Sequence, residues 1–253
     1  MHVTILGTGT AAPRPDRACA GLLVESGATR LLLDCGPGTV ERLARIGGWE
    51  SLTHVLLSHF HNDHTGDLPF LLFALRWGTP HRRSEPLLLA GPHGLRDRLQ
   101  AMAAAFGSHV VEPGFPLPLQ ELGPADEVAT ASVRVSCAAA RHTPGALCFR
   151  VRSAAGELGY TGDTGPDDAV ADFLAGVDVL VAECSLPDEI AMDTHLSPSS
   201  VAALARRAGP RELVLTHMYP QVDRRTVLDE VRAAGWAGMT RVAEDGLRIA
   251  VGP

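Results

Sequence analysis

A chain of 253 residues with 45% hydrophobic content is long enough to bury a substantial core, and nothing in that balance suggests disorder. The net charge of −7 comes without any long block of basic residues, which argues against a nucleic-acid surface, and the absence of lysine excludes lysine catalysis. No apolar run is long enough to span a membrane and MHVTILGTGT lacks a signal-peptide pattern, so the chain reads as soluble and cytoplasmic.

The opening segments HVTILGTGT, AGLLVES and TRLLLDCG are short, rich in leucine or β-branched residues and separated by turn formers, which predicts strands. GTVERLARIGG follows as a short helix. HVLLSH is the next strand and GDLPFLLFALRWG the next helix, with a polar loop between them. Strand PLLLAGP and helix HGLRDRLQAMAAAFG continue the alternation. From Gly114 to Gly162 strands return as EVATASVRVSCAAARH, ALCFRVRS and ELGYTGD, the last pair joined by a hairpin-like AAG break. Helix DDAVADFLAG, strand VDVLVAECS, a helix capped by Ser197 with Pro198 at its first position, and strand ELVLTHMYP come next. An Asp223-capped helix, RRTVLDEVRAAG, and a closing hairpin, TRVAEDGLRIAV, end the pattern. Each strand-rich stretch is followed by helices and no linker divides them. This predicts a single α/β domain over residues 1–253, with two sheets packed face to face and helices outside both.

The polar loop is SHFHNDHTGD, Ser58 to Asp67, with three histidines and two aspartates in ten residues. Such residues are ordinary in loops, but these sit at the C-terminal end of a strand, where ligands collect in α/β proteins. His59 and His61 lie two apart on extended chain, and the turn then projects Asp63 and His64 from the start of the helix. Imidazole and carboxylate suit zinc, with manganese or iron as alternatives. A site for two ions needs more donors. His142 in AAARHTPG, Asp163 in GYTGDTG and His217 in LVLTHMYP each end an apolar strand. Singly, each reads as a capping or loop residue; with the loop, they complete a ligand set. His59, His61 and His142 form one site, Asp63, His64 and His217 a second, and Asp163 bridges. Two divalent ions about 3.5 to 4 Å apart can share a water and lower its pKa towards about 7. Asp34 in LLLDCGPG is either a turn aspartate ahead of Gly36 or an acceptor that fixes the tautomer of a metal-bound histidine.

Other residues fall outside these patterns. Cys19, Cys35, Cys137, Cys148 and Cys184 form no Cys-x-x-Cys pair and read as free thiols of a reducing compartment. His2, His54, His81, His93 and His109 are expected at the surface or in caps, Trp49, Trp77 and Trp236 in packing, and HRRSE (His81 to Glu85) in a solvated loop.

Together, SHFHNDHTGD, RHTPG, TGDT and LTHMYP resemble the metallo-β-lactamase superfamily over nearly the whole chain. The resemblance implies a four-layer αβ/βα sandwich with the metal cleft between its sheets. ILGTGTAAPRPDR, LLLDCGPGT and THLSPSSVAALARRAG look more particularly like the ribonuclease Z branch. In that branch the catalytic histidine falls on His195, and the acid that supports it on Glu183 in VAECS. His195 would then protonate the leaving alkoxide of a phosphodiester, with Glu183 orienting it and raising its pKa. The same resemblance lets Asp63 accept a proton while holding its metal, and it implies a homodimer.

Two departures bear on substrate. The interval between His142 and Asp163 holds a short hairpin where many transfer-RNA-processing members resemble each other in a long Gly- and Pro-rich arm, and THMYP replaces a serine- and arginine-containing motif. With the acidic charge, they direct the expectation towards a small phosphodiester such as a cyclic nucleotide, and against extended nucleic-acid binding. The alternatives are a lactonase or carboxylic-ester hydrolase, a ribonuclease Z that processes transfer RNA 3′ ends, and a non-catalytic module that keeps its metals structurally.

Overall fold

The computed structural model describes residues 1–252. The first half runs β1 (His2–Gly7), β2 (Gly21–Ser26), β3 (Thr29–Leu33), α1 (Thr39–Ile46), β4 (His54–Leu56), α2 (Asn62–Thr65), α3 (Leu68–Trp77), β5 (Leu88–Pro92), α4 (Leu95–Phe106) and β6 (Leu119–Leu122). The second half runs β7 (Glu127–Ala129), β8 (Val133–Ala139), β9 (Leu147–Ser153), β10 (Gly156–Tyr160), α5 (Asp168–Phe173), β11 (Val179–Glu183), α6 (Pro198–Ala208), β12 (Glu212–Thr216), α7 (Val227–Ala233), β13 (Met239–Val242) and β14 (Arg248–Ala250).

Two seven-stranded sheets result, ordered β14-β1-β2-β3-β4-β5-β6 and β13-β12-β11-β10-β9-β8-β7. In each, an antiparallel group is followed by a parallel one: β3 to β6 in the first sheet and β10 to β13 in the second. Alternate residues of every strand face opposite sides. Val3, Ile5, Leu31 and Leu33 therefore meet Phe149, Val151, Leu158 and Val181 in an inter-sheet core. The intervening Leu6, Leu23 and Leu32 pack outward under Leu43, Leu71, Leu72 and Leu75 of α1 and α3. Leu180, Ala182, Leu213 and Leu215 do the same under Val170, Val201, Val227 and Val231 of α5 to α7. Three apolar layers thus bind four structural ones, the αβ/βα sandwich expected. No helix of the described residues is long and apolar enough to cross a membrane.

Several local expectations need correction. EVATASVRVSCAAARH is two strands, because Thr130 accepts the Val133 N–H on its side chain and turns the chain between β7 and β8. Asp223 does not cap α7 directly: it bonds the Arg225 and Thr226 N–H groups in a turn that delays the helix to Val227. The closing segment is not a hairpin. β13 joins β12 in parallel and β14 joins β1 antiparallel, so the turn between them crosses from one sheet to the other. The HRRSE loop is not wholly solvated, since Arg83 is buried among the carbonyls of Glu50, Leu52, Glu85 and Pro86. His109 is buried too, against the rings of Phe73 and Trp77, whereas Trp77 itself is half exposed.

Candidate metal centre

The C-terminal ends of β3, β4, β10, β11 and β12 converge on one edge of the sandwich, and each delivers a polar residue there. After β4 the chain stays extended to His61, then α2 folds a single turn that buries Asp63 and His64. That turn is stitched to the segment after β3: Cys35 N donates to His64 O at 2.7 Å and Ala20 N to Asp63 O at 3.1 Å. Gly36 permits the approach, because a Cβ there would lie 2.0 Å from the Asp63 carbonyl oxygen.

The side chains gather in two groups. In the first, His61 Nδ1 lies 3.1 Å from His59 Nε2 and 3.0 Å from His142 Nε2, and Asp163 Oδ2 is 3.7 Å from both of those Nε2 atoms. In the second, His217 Nε2 is 3.2 Å from Asp63 Oδ2 and 3.3 Å from His64 Nε2. Asp163 Oδ1 is 3.3 Å from His64 Nε2, so this carboxylate turns one oxygen to each group.

The outer ring nitrogens fix which tautomers face inward. His142 Nδ1 meets the Thr194 carbonyl at 3.0 Å and His64 Nδ1 meets Asp34 Oδ2 at 2.7 Å, acceptors that require an N–H. His59 Nδ1 donates to Ser58 Oγ, whose own proton goes to Asp34 Oδ2. His217 Nδ1 donates to Ser185 Oγ, whose proton goes to Glu183. In the neutral rings four inner Nε2 atoms would be lone pairs crowded together, which calls for a cation between them, a metal ion or, in its place, protons. Asp163 Oδ1 is buried and lacks a hydrogen-bond partner, as an oxygen awaiting a metal would. These donors fit divalent metal ions, and two clusters fit a binuclear arrangement.

The electrostatics agree. Burial and the neighbouring imidazoles push His59 down to about 2, keeping it neutral. Burial opposes ionisation of Asp63, but the His217 hydrogen bond and the His64 and His217 charges outweigh it and hold the carboxyl at about 2. His64 goes the other way: burial disfavours its charge, yet Asp163 and Asp34 on either side push it well above the usual histidine range. Without a cation, a proton takes the position between those carboxylates.

Asp34 is the anchor of this wall. Fully buried, it accepts from Ser58 N at 2.7 Å, Ser58 Oγ at 2.8 Å, His64 Nδ1 at 2.7 Å and Tyr160 Oη at 2.7 Å. It thus contacts one of the clustered histidines, and it also holds the turn after β3, with a φ of 60°. Glu183, also fully buried, accepts from Thr164 N, Leu196 N and Ser185 Oγ, and both its oxygens lie 3.1 Å from His195 Nδ1. Burial and Asp163 push this carboxyl up. Burial would lower His195, but its hydrogen bond and attraction to Glu183 raise it. Gly165 lets the Asp163 loop touch the His195 segment, since a Cβ there would fall 1.7 Å from Asp193 O.

Asp63, His61, Asp163 and His195 line an open cleft of about 770 Å³. Three of its other residues escaped the sequence reading. Tyr219, two residues after His217, packs its ring 6.4 Å from His195. Arg98 of α4 lies 5.5 Å over the ring of Phe60 at the rim. Only Phe60 and Tyr219 stood within motifs that could have flagged them; nothing near Arg98 in the sequence does so.

Residues 29–218 match the beta-lactamase superfamily domain. A ribonuclease Z of Mycobacterium bovis is 32% identical over an alignment covering 100% of this chain and 99% of the relative. The crystal structure of the metallo-beta-lactamase fold protein YhfI from Bacillus subtilis superposes with a TM-score of 0.85 at 24% identity, covering 98% of each chain. That of human tRNase Z, short form, gives 0.80 at 24% identity and 100% coverage of both.

The expectation against extended nucleic-acid binding is overturned by the first of these relatives: a protein that aligns with the chain end to end bears the name ribonuclease Z. Net charge misled because it averages over the surface. A groove lined by Arg14, Arg17, Arg42 and Arg45 adjoins the cleft and shares Thr10, Pro13, Cys19 and Pro37 with it, although Asp16, Glu41 and Asp245 pair with those arginines.

Proposed function

The chain belongs to the metallo-β-lactamase superfamily, in its ribonuclease Z-like branch, and from that premise we propose that it is a binuclear-metal phosphodiesterase acting on a nucleotide-like phosphodiester. The observation that carries the reading is His195, held by buried Glu183 at the rim of the cleft beside both ligand clusters. His59, His61 and His142 would hold one ion and Asp63, His64 and His217 the other, with Asp163 shared. Zinc suits this donor set, with manganese or iron as alternatives. When bound, two such ions supply positive charge and an activated water at neutral pH.

The remaining work belongs to the chain. Asp34, Ser58 and Ser185 keep the inner nitrogens unprotonated, and Asp63, ionised and open to the cleft, accepts a proton. His195, kept protonated by Glu183, gives its proton to the leaving oxygen. Arg98, at the rim, offsets phosphate charge. One domain over residues 1–253 provides all of these, and its five unpaired thiols suit a reducing cytoplasm.

A cyclic nucleotide is of a size to enter the cleft. RNA is the second reading, favoured by the ribonuclease Z relative and by the adjoining arginine groove. The test is the initial rate of zinc-loaded protein, and of His195→Ala at equal metal content, on bis(p-nitrophenyl) phosphate, cyclic AMP, a precursor transfer RNA and a lactone. Diester cleavage that falls at least about a hundredfold in the variant supports the reading. Lactone hydrolysis indifferent to His195, with no diester cleaved, overturns it; cleavage of the RNA alone selects the second reading.

A further inference from the structure

A second cavity, of about 380 Å³, shares no residue with the metal cleft. It lies where the end of α3 and the loop after it meet the segment before β6, and its walls carry Arg76, Arg82 and Arg83 with no acidic side chain among them. Arg83 is only 8% exposed, a buried cation whose hydrogen bonds go to neutral carbonyls. Glu85 reaches it only as a longer-range charge and is itself engaged by Ser84. Arg76 and Arg82 likewise donate to the carbonyls of Glu112 and Gly114. The point a Cβ would occupy at Gly114 is 3.6 Å from Arg82 Nη2 and 3.9 Å from Arg76 Nε, so both guanidinium groups border the same spot.

Three guanidinium groups bordering one cavity with no carboxylate on its wall give it a positive potential that favours an anion. Arginine forks match a phosphate in charge and geometry. The cavity is larger than inorganic phosphate needs, and the extra wall is aromatic: Arg76 stacks 4.4 Å from the Trp77 ring, which is half exposed, and Phe115 lies under Arg83 at 5.2 Å. We propose that this cavity is a binding site for a phosphomonoester of a small organic group, separate from the metal centre. Arg76 and Arg82 grip the phosphate, Arg83 fixes the loop and adds its charge, and Trp77 and Phe115 cover the organic part. The site stands whether or not the metal centre cleaves diesters.

The experiment is calorimetric titration of zinc-loaded protein with adenosine 5′-monophosphate, for the wild type, Arg82→Gln and Arg76→Gln, with adenosine as the phosphate-free control. Arg82 is exposed, so its replacement leaves the melting temperature and the rate on bis(p-nitrophenyl) phosphate unchanged. The expected result is an equivalent of nucleotide whose affinity falls at least about tenfold in both variants, the loss of one charge-assisted contact, while adenosine shows no such event. Identical titrations for wild type and both variants would place all nucleotide at the metal centre and overturn the proposal. Adenosine binding as tightly as the monophosphate would overturn it as well.

Discussion

His195 Nδ1 lies 3.1 Å from both carboxylate oxygens of Glu183, a buried acid reaching a histidine that borders the cleft. The pair leaves Nε2 as the ring nitrogen free to meet substrate. Because Glu183 favours the imidazolium, it extends the pH range in which His195 carries a proton to give. Replacing Glu183 by Gln removes the charge and keeps the shape. The alkaline limb of kcat/KM for a chromogenic diester then moves to lower pH, whereas the acid limb stays. A profile that only scales down, with both limbs fixed, would assign Glu183 a purely structural part.

Asp34 touches no inner nitrogen yet orients His64 directly and His59 through Ser58. Asp34→Ala is expected to weaken zinc binding about 10- to 100-fold, the usual effect of losing such a partner. Competition with a chromogenic chelator measures this, and an unchanged affinity would show that the histidines hold their tautomers unaided.

Gly36→Ala tests whether the two stitched segments must touch. Its Cβ would meet the Asp63 carbonyl oxygen at 2.0 Å, a backbone contact that cannot swing away. The expected cost is about 1–3 kcal/mol in urea unfolding, with loss of metal from the cluster that contains Asp63. Full metal content at wild-type stability would mean that the loop moves freely.

Chelation should abolish hydrolysis and lower the melting temperature together, because ions that bind only the folded chain stabilise it by about 2.7 kcal/mol at a hundredfold excess over Kd. Re-added zinc restores both. In Asp163→Asn, where the shared carboxylate is lost, the rise on adding zinc is expected to be smaller. Differential scanning fluorimetry across a zinc series reads each case, and a melting temperature indifferent to zinc would count against a resident ion.

The strands, helices and clustered donors were legible because each follows a local rule. An apolar run ending in a histidine or aspartate marks the end of a buried strand, and this is how His59, His142, Asp163 and His217 stood out. Glu183 ends the apolar strand VLVAE and His195 has no local mark; only resemblance singled out the pair, since their contact spans an intervening loop. Ser58, Ser185 and Tyr160 were passed over because a hydroxyl gains its role only from the acceptor that folding brings to it. Edge partners were equally illegible. TRVAEDGLRIAV alternates as a hairpin would, and no period tells that its halves pair with different sheets. Burial of Arg83 depended on four carbonyls from neighbouring turns, which composition does not foretell.

Asp63 and His217 meet at 3.2 Å across 154 residues of sequence. During synthesis the ribosome needs on the order of ten seconds to add that length of chain. Late in that interval the histidine loop, His142 and Asp163 have all been made while His217 has not. A nascent chain can therefore assemble the donors in order, the group of His59, His61, His142 and Asp163 first, and the group of Asp63 and His64 is completed only when His217 emerges.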